Sequence, residues 1–136
     1  MIREITKDAD GRISAVDYAL VSSFWTLRGG KAPARGVFPG VGVLFDHDAC
    51  GFLYLDATGS GVAVIAWTAT NPTIPPRRAA KALNHVITML EVLAKVHGYH
   101  TILCHQVENS GLHRSFSRKG YTAADSNLVQ LFRSID

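Results

Sequence analysis

Between Pro75 and His97, apolar residues recur at Leu83, Val86, Ile87, Leu90, Leu93 and Ala94, the spacing of one face of an α-helix. The opposite face carries Lys81, Asn84, His85, Thr88, Glu91 and Lys95, with Glu91 four residues before Lys95 in the favourable order. Pro76 suits a first helical position, where its missing N–H costs nothing. Gly98 offers a left-handed stop, and His97 stands where a cation favours the negative end of the helix. Period and end signals agree, and they predict a helix over 76–97.

The rest of the chain alternates more tightly. Tyr99 to Val107 has the β-branched and aromatic content of a strand, and 108–121 reads as a turn, a short amphipathic helix and a glycine exit. Towards the N-terminus, Ile2–Thr6 predicts a first strand, followed by an Asp-Ala-Asp-Gly turn. Ser14-Ala-Val-Asp17 is similar to a capping box with Asp in place of Glu. The helix it opens is expected to bury Val16, Ala19 or Leu20, Phe24 and Leu27, and to stop at Gly29-Gly30. Residues 28–40 turn to Gly, Pro, Lys and Arg, a loop composition. Val41–Phe45 and Gly51–Leu55 flank Asp46-His-Asp48 as a hairpin, and Val62–Ala69 follows as an apolar strand expected to be covered on both faces. Leu128–Phe132 is expected to complete the sheet. The predicted fold class is α/β (α+β), a mixed central sheet flanked by helices in the order β-α-β-β-β-α-β-α-β-β.

Length and composition narrow the partners. A chain of 136 residues suits one domain, 1–136, and no run approaches the length of a membrane span. Two cysteines far apart, Cys50 and Cys104, give neither a disulfide framework nor a zinc pattern. With no signal-peptide pattern at the N-terminus, two free thiols and a cytoplasmic location are expected, and no metal. The formal charge of +3 gathers at Arg77, Arg78, Lys81, Arg114, Arg118 and Lys119. Such an excess fits a phosphate-bearing small ligand, a nucleic acid or simply a solvated helix face. These basic stretches lack the interleaved aromatics of a stacking platform, which argues against nucleic acid.

One ordered series of residues carries a resemblance. Gly98-Tyr99 ends the long helix, Leu103 lies in the next strand, Asn109 follows, and Phe116-Ser-Arg-Lys-Gly-Tyr121 closes the short helix. In this order they resemble the GCN5-related N-acetyltransferases (the GNAT superfamily). The resemblance implies a GNAT-like acyl-CoA N-acyltransferase fold. It also implies acetyl-CoA as co-substrate and acetyl transfer to a small-molecule or peptide amine of unknown identity, with an oligomer compatible. Trp67, Thr68 and Ala69 would pair with the pantetheine arm through their backbone. Arg77, Arg78, Ala79, Ala80, Lys81 and Ala82 would form the phosphate-binding first turn, as helix N-termini present unpaired donors to anions. Asn109 would help hold the cofactor, although Asn109 or Ser110 also reads as a plain N-cap.

The chain departs from the family pattern in ways that bear on catalysis. Ala80 stands where glycine is expected, and Pro75 and Pro76 remove two backbone donors. Phe116 occupies the place of a tyrosine that protonates the departing thiolate, and it has no proton to give. Residues 62–70 contain no acid, so the candidate bases are His105, or Asp56 through a water. Cys104 has no evident base to make it a nucleophile. Tyr99 and Tyr121 read as core aromatics. An alternative to the transferase is therefore a catalytically silent GNAT-like binding or assembly module, of a kind also found in phages.

Overall fold

The computed structural model describes residues 1–106, 110–124 and 133, in two units, Met1–Cys104 and His105–Asp136. The first unit runs β1 (Ile2–Glu4), α1 (Ala15–Thr26), β2 (Val41–Phe45), β3 (Ala49–Leu55), β4 (Val62–Thr70), α2 (Pro76–Val96) and β5 (Thr101–Cys104). Its strands form one sheet in sequential order, antiparallel from β1 to β4 and parallel between β4 and β5. The β4–α2–β5 passage is a parallel crossover, as parallel neighbours require. The order predicted from the sequence is found from β1 through α3 (Gly111–Arg118). The strand expected at 128–132 lies outside the described residues.

Helix α2 buries Ala82, Leu83, Val86, Ile87, Leu90 and Ala94, the face expected from its period, with Leu93 only half-buried. It comes very close to the sheet at Gly51. A methyl group there would lie 2.9 Å from Leu90 Cδ1 and 3.0 Å from Val86 Cγ1, so only glycine fits without a shift. The end of α2 is a Schellman motif: Gly98 takes φ +86°, its N–H donates to Lys95 O, and Tyr99 N–H donates to Ala94 O. In the second unit α3 closes the same way, through Gly120 (φ +96°) and Tyr121 N–H to Phe116 O at 3.2 Å. There the Tyr121 ring meets Phe116 edge-on at 4.9 Å, the apolar contact that often accompanies this motif. The repeated Gly-Tyr pairs are thus helix exits. Both tyrosines are half-buried rather than core residues, and Tyr99 Oη donates to Asp56 O.

Helix α1 differs from expectation in the face it buries. Val16 and Leu27 are 80% and 56% exposed, while Asp17, Val21 and Phe24 are buried. The reason is the Asp17 carboxylate, which accepts two bonds from Arg3 (2.7 and 3.0 Å) and two from Thr6, backbone and hydroxyl (both 2.8 Å). Ser14 caps the helix by accepting from Asp17 N–H, so half of the capping box is present. The returning half is replaced by the tie to β1. Above the sheet, Phe38 from the α1–β2 loop meets Tyr18, Trp25, Phe52 and Trp67, with ring centroids 4.6–6.1 Å apart.

Candidate functional site

Strand β4 changes character along its length. Its first half, Val62–Ile65, pairs with β3 on one side and with β5 on the other, ending at Ile65↔Cys104. Among the described residues, Ala66–Thr70 pairs with β3 alone. The register slips at this point, because Phe52 faces Ala66 while Cys50 faces Ala69, leaving Trp67 and Thr68 opposite Gly51 alone. This is a β-bulge, and Trp67 has φ +54° in it, a conformation usually given to glycine. Such backbone costs roughly 1–3 kcal/mol when a bulky residue adopts it. The side chain anchors it: Trp67 Nε1 donates to Tyr54 Oη at 2.9 Å, and the indole meets Phe38 edge-on at 6.0 Å. Strand β4 is not buried on both faces as expected, because burial alternates with the pleat already in its regular first half. Ala63, Ile65 and Ala69 are buried, and the other residues are half-buried.

Residues 71–75 connect the open half of β4 to the first turn of α2. Pro75 is the N-cap without a capping side chain, Pro76 is the first helical residue, and Ala79 N–H already bonds Pro75 O. The N–H groups of Arg77 and Arg78 are therefore the donors this turn has to offer. Arg77, Ala80 and Lys81 are exposed, Ala79 is half-buried, and Ala82 packs into the core. Arg78 has a partner the sequence did not indicate. Its Nε and Nη2 donate to the buried Asp48 carboxylate at 2.8 and 2.9 Å, and this pair holds the Arg78 pKa above its usual value. Its charge is thus largely committed to the β2–β3 turn.

The connection between β4 and α2 is pinned to that same turn. Asn71 N–H donates to Asp48 O (2.8 Å), and Asn71 Nδ2 donates to His47 O (3.0 Å). Asn71 Oδ1 accepts from the Thr73 N–H and hydroxyl, a local Asx turn. From the opposite side, Arg28 Nη1 donates to Phe24 O (3.0 Å) and Thr70 O (2.6 Å), while its Nη2 donates to Thr70 Oγ1 (2.9 Å). Arg28, Asp48, Tyr54 and Asn71 were not singled out by pattern. Only Asn71-Pro-Thr carries a local signal, as an Asx turn.

The remaining candidates are distributed elsewhere. Asp56 lies in the turn before β4, at the end of the strand opposite the bulge. Hydrogen bonds from Ser60 and then Thr58 hold its carboxyl down to about 2, which makes it a weak base. Both cysteines are free, burial raises the Cys50 thiol, and burial pushes Cys104 up to about 11. A thiolate nucleophile at neutral pH is disfavoured accordingly. His105 follows β5 directly and is exposed; in the second unit Phe116 is buried. The N-cap of α3 is Ser110, which accepts from His113 N–H at 3.1 Å, and Asn109 lies outside the described residues.

The fold of the described residues is GNAT-like, as the resemblance of the sequence implied. Solved structures of acetyltransferases share it. A protein assigned as an acetyltransferase from Arthrobacter sp. FB24 superposes with a TM-score of 0.69 at 15% identity, over 99% of this chain and 96% of that one. A Trypanosoma brucei acetyltransferase gives 0.62 at 14% identity, over 97% and 99%. Glucosamine-6-phosphate N-acetyltransferase from Arabidopsis thaliana gives 0.57 at 10% identity, over 100% and 99%. No family model matches the sequence, and no curated protein matches it by sequence. Among the described residues, no helix is long and apolar enough to cross a membrane.

Proposed function

We propose that this protein is an acyl-CoA-dependent N-acyltransferase that transfers an acetyl group from acetyl-CoA to an amine. The observation that carries the reading is the half of β4, Ala66–Thr70, that among the described residues pairs with β3 alone and is followed by a first turn of α2 without a capping side chain. An extended ligand arm can add to such a strand edge by backbone hydrogen bonds. A diphosphate suits the helix start, where Arg77 and Arg78 N–H groups and the exposed Lys81 supply donors and charge. The side chain of Arg78 contributes less than its sequence position suggests, because Asp48 holds it.

Bound acetyl-CoA would supply the acyl group as a thioester. The chain's part is mainly to hold and orient: the β4 edge fixes the arm, and the helix start fixes the phosphates. Attack by the amine nitrogen on the thioester carbonyl forms the amide and breaks the carbon–sulfur bond, releasing a thiolate and the ammonium proton. Positioning alone can supply much of the rate for so good a leaving group. His105 is the side chain proposed to take the proton, directly or through water. Phe116, at the position of the family's tyrosine, has no proton for the thiolate.

The absence of an acid from residues 62–70 and the commitment of Arg78 favour a second reading, a silent module that binds the cofactor or a partner without turnover. Calorimetry with coenzyme A, followed by thiol release from acetyl-CoA with polyamines, amino acids and lysine peptides, separates them. Binding with turnover is expected for the transferase. Binding without turnover across the panel supports the silent module, and no heat at millimolar coenzyme A removes both cofactor readings.

A further inference from the structure

The α1–β2 loop is fastened to the open half of β4 at two places. At its start, Arg28 bridges the last turn of α1 and Thr70 through the three bonds described above. Near its end, Tyr54 Oη donates to Val37 O at 2.9 Å while accepting from Trp67 Nε1 at 2.9 Å. Phe38, next to Val37, is buried against Trp67 and Phe52. Between these points, Tyr18 Oη donates to Pro33 O, and Arg35 donates to Ile13 O and Asp8. The loop therefore touches β4 at its bulged residue and at its last residue.

Trp67 links these facts. Its backbone is in the strained left-handed region, and its indole carries the hydrogen bond that leads to Val37. A ligand that pairs with the open backbone of Ala66–Thr70 restricts the backbone of Trp67, and with it the ring. The ring in turn restrains Tyr54, Val37 and Phe38. A first ligand that orders such a contact network lowers the ordering cost for whatever binds against the loop, without any large displacement. The exposed lip of this network is apolar, with Val37 44% and Tyr54 38% exposed.

We propose that Tyr54 and Arg28 are positioning residues that couple the α1–β2 loop to the open half of β4, so that coenzyme A bound along the strand orders loop residues 33–38. The inference rests on the cofactor reading above. Tyr54→Phe tests it with little change of volume, since loss of the hydroxyl removes both bonds of the Trp67–Tyr54–Val37 relay. Arg28→Met provides an independent variant that keeps that relay and removes the other tie.

Amide hydrogen exchange of residues 34–38 is measured with and without saturating coenzyme A, alongside the affinities for coenzyme A and for pantetheine, which lacks the phosphates. In the wild type, coenzyme A is expected to slow exchange at Val37 and Phe38 by about fivefold or more, the lower end of usual coupling between sites. Tyr54→Phe should lose most of that slowing, and Arg28→Met, which keeps the relay, should lose a smaller part of it. Each should also bind coenzyme A and pantetheine more weakly by a similar factor, which a lost phosphate contact would not produce. A purely structural role would lower the melting temperature and leave the ligand-induced slowing intact, overturning the proposal. Wild type that binds coenzyme A with no change in loop exchange overturns it too, and leaves the cofactor reading standing. No binding by wild type overturns the cofactor reading together with this inference.

Discussion

The two halves of β4 solve the same backbone problem by different means. In Val62–Ile65 the polar groups are shared with β3 and β5, and side chains contribute mainly by burial. In Ala66–Thr70 the second ladder is absent among the described residues, the strand bulges, and the chain is held by side chains from the α1–β2 loop, β3 and the turns. A strand within a sheet is positioned by hydrogen bonds that any sequence can make. A strand edge without a neighbouring strand has to be positioned by particular residues. That makes the open half sensitive to substitutions that would be silent in the closed half.

The largest effect should come from breaking the closed half. Ile65→Ala removes a fully buried side chain and is expected to cost about 2–5 kcal/mol, read by denaturant unfolding. Coenzyme A affinity of the fraction that remains folded should be nearly unchanged, since Ile65 lies outside the open segment. A matching loss of affinity would show that the halves are not separable.

Gly51→Ala tests the seam between them. The added methyl would press on Leu90, Val86 and Thr68, and overpacking of this kind costs about 1–3 kcal/mol. Because Gly51 faces the bulge, both stability and coenzyme A affinity should fall, measured by unfolding and calorimetry on the same preparation.

Asn71→Ala acts on the open half alone. It removes the Asx turn and the bond to His47 O, three exposed hydrogen bonds, with an expected loss of about 1.5 kcal/mol at roughly 0.5 kcal/mol each, the low end of a net hydrogen bond. Affinity for coenzyme A should drop in greater proportion than stability, because the residue fixes the approach to α2.

Charge reversal at Arg77 or Lys81 should leave unfolding unchanged within about 0.5 kcal/mol, as both are exposed. It should weaken coenzyme A several-fold at low salt, with a smaller difference at high salt. The smallest effect is expected at the far end of the closed half. The Asp56 carboxyl is lowered to about 2, so its contribution to stability is present above the ordinary range near 4 and is lost as pH falls through about 2. The Asp56 carboxyl itself stays ionised between pH 5 and 8. Asp56→Asn should therefore leave any pH–rate profile in that window unchanged, and a lost limb would place Asp56 in the reaction.

What the sequence determined by itself was local. The period of α2, its Pro76 start and its Gly98-Tyr99 exit are set by contacts within a few residues. The face of α1 was not legible, because apolar residues surround that helix and the choice was made by Arg3 and Thr6 enclosing the Asp17 carboxylate. Arg78 read as a free cation until Asp48, thirty residues earlier in the chain, was brought to it. Nothing in Ala66-Trp67-Thr68 signals a positive φ. That conformation exists because Tyr54 and Gly51 of β3 and Phe38 of the α1–β2 loop meet Trp67, and only the folded chain brings these two segments to it. The physical reason is range: helix periods and caps act over one or two turns, whereas an open strand is held by side chains whose partners are distant in sequence.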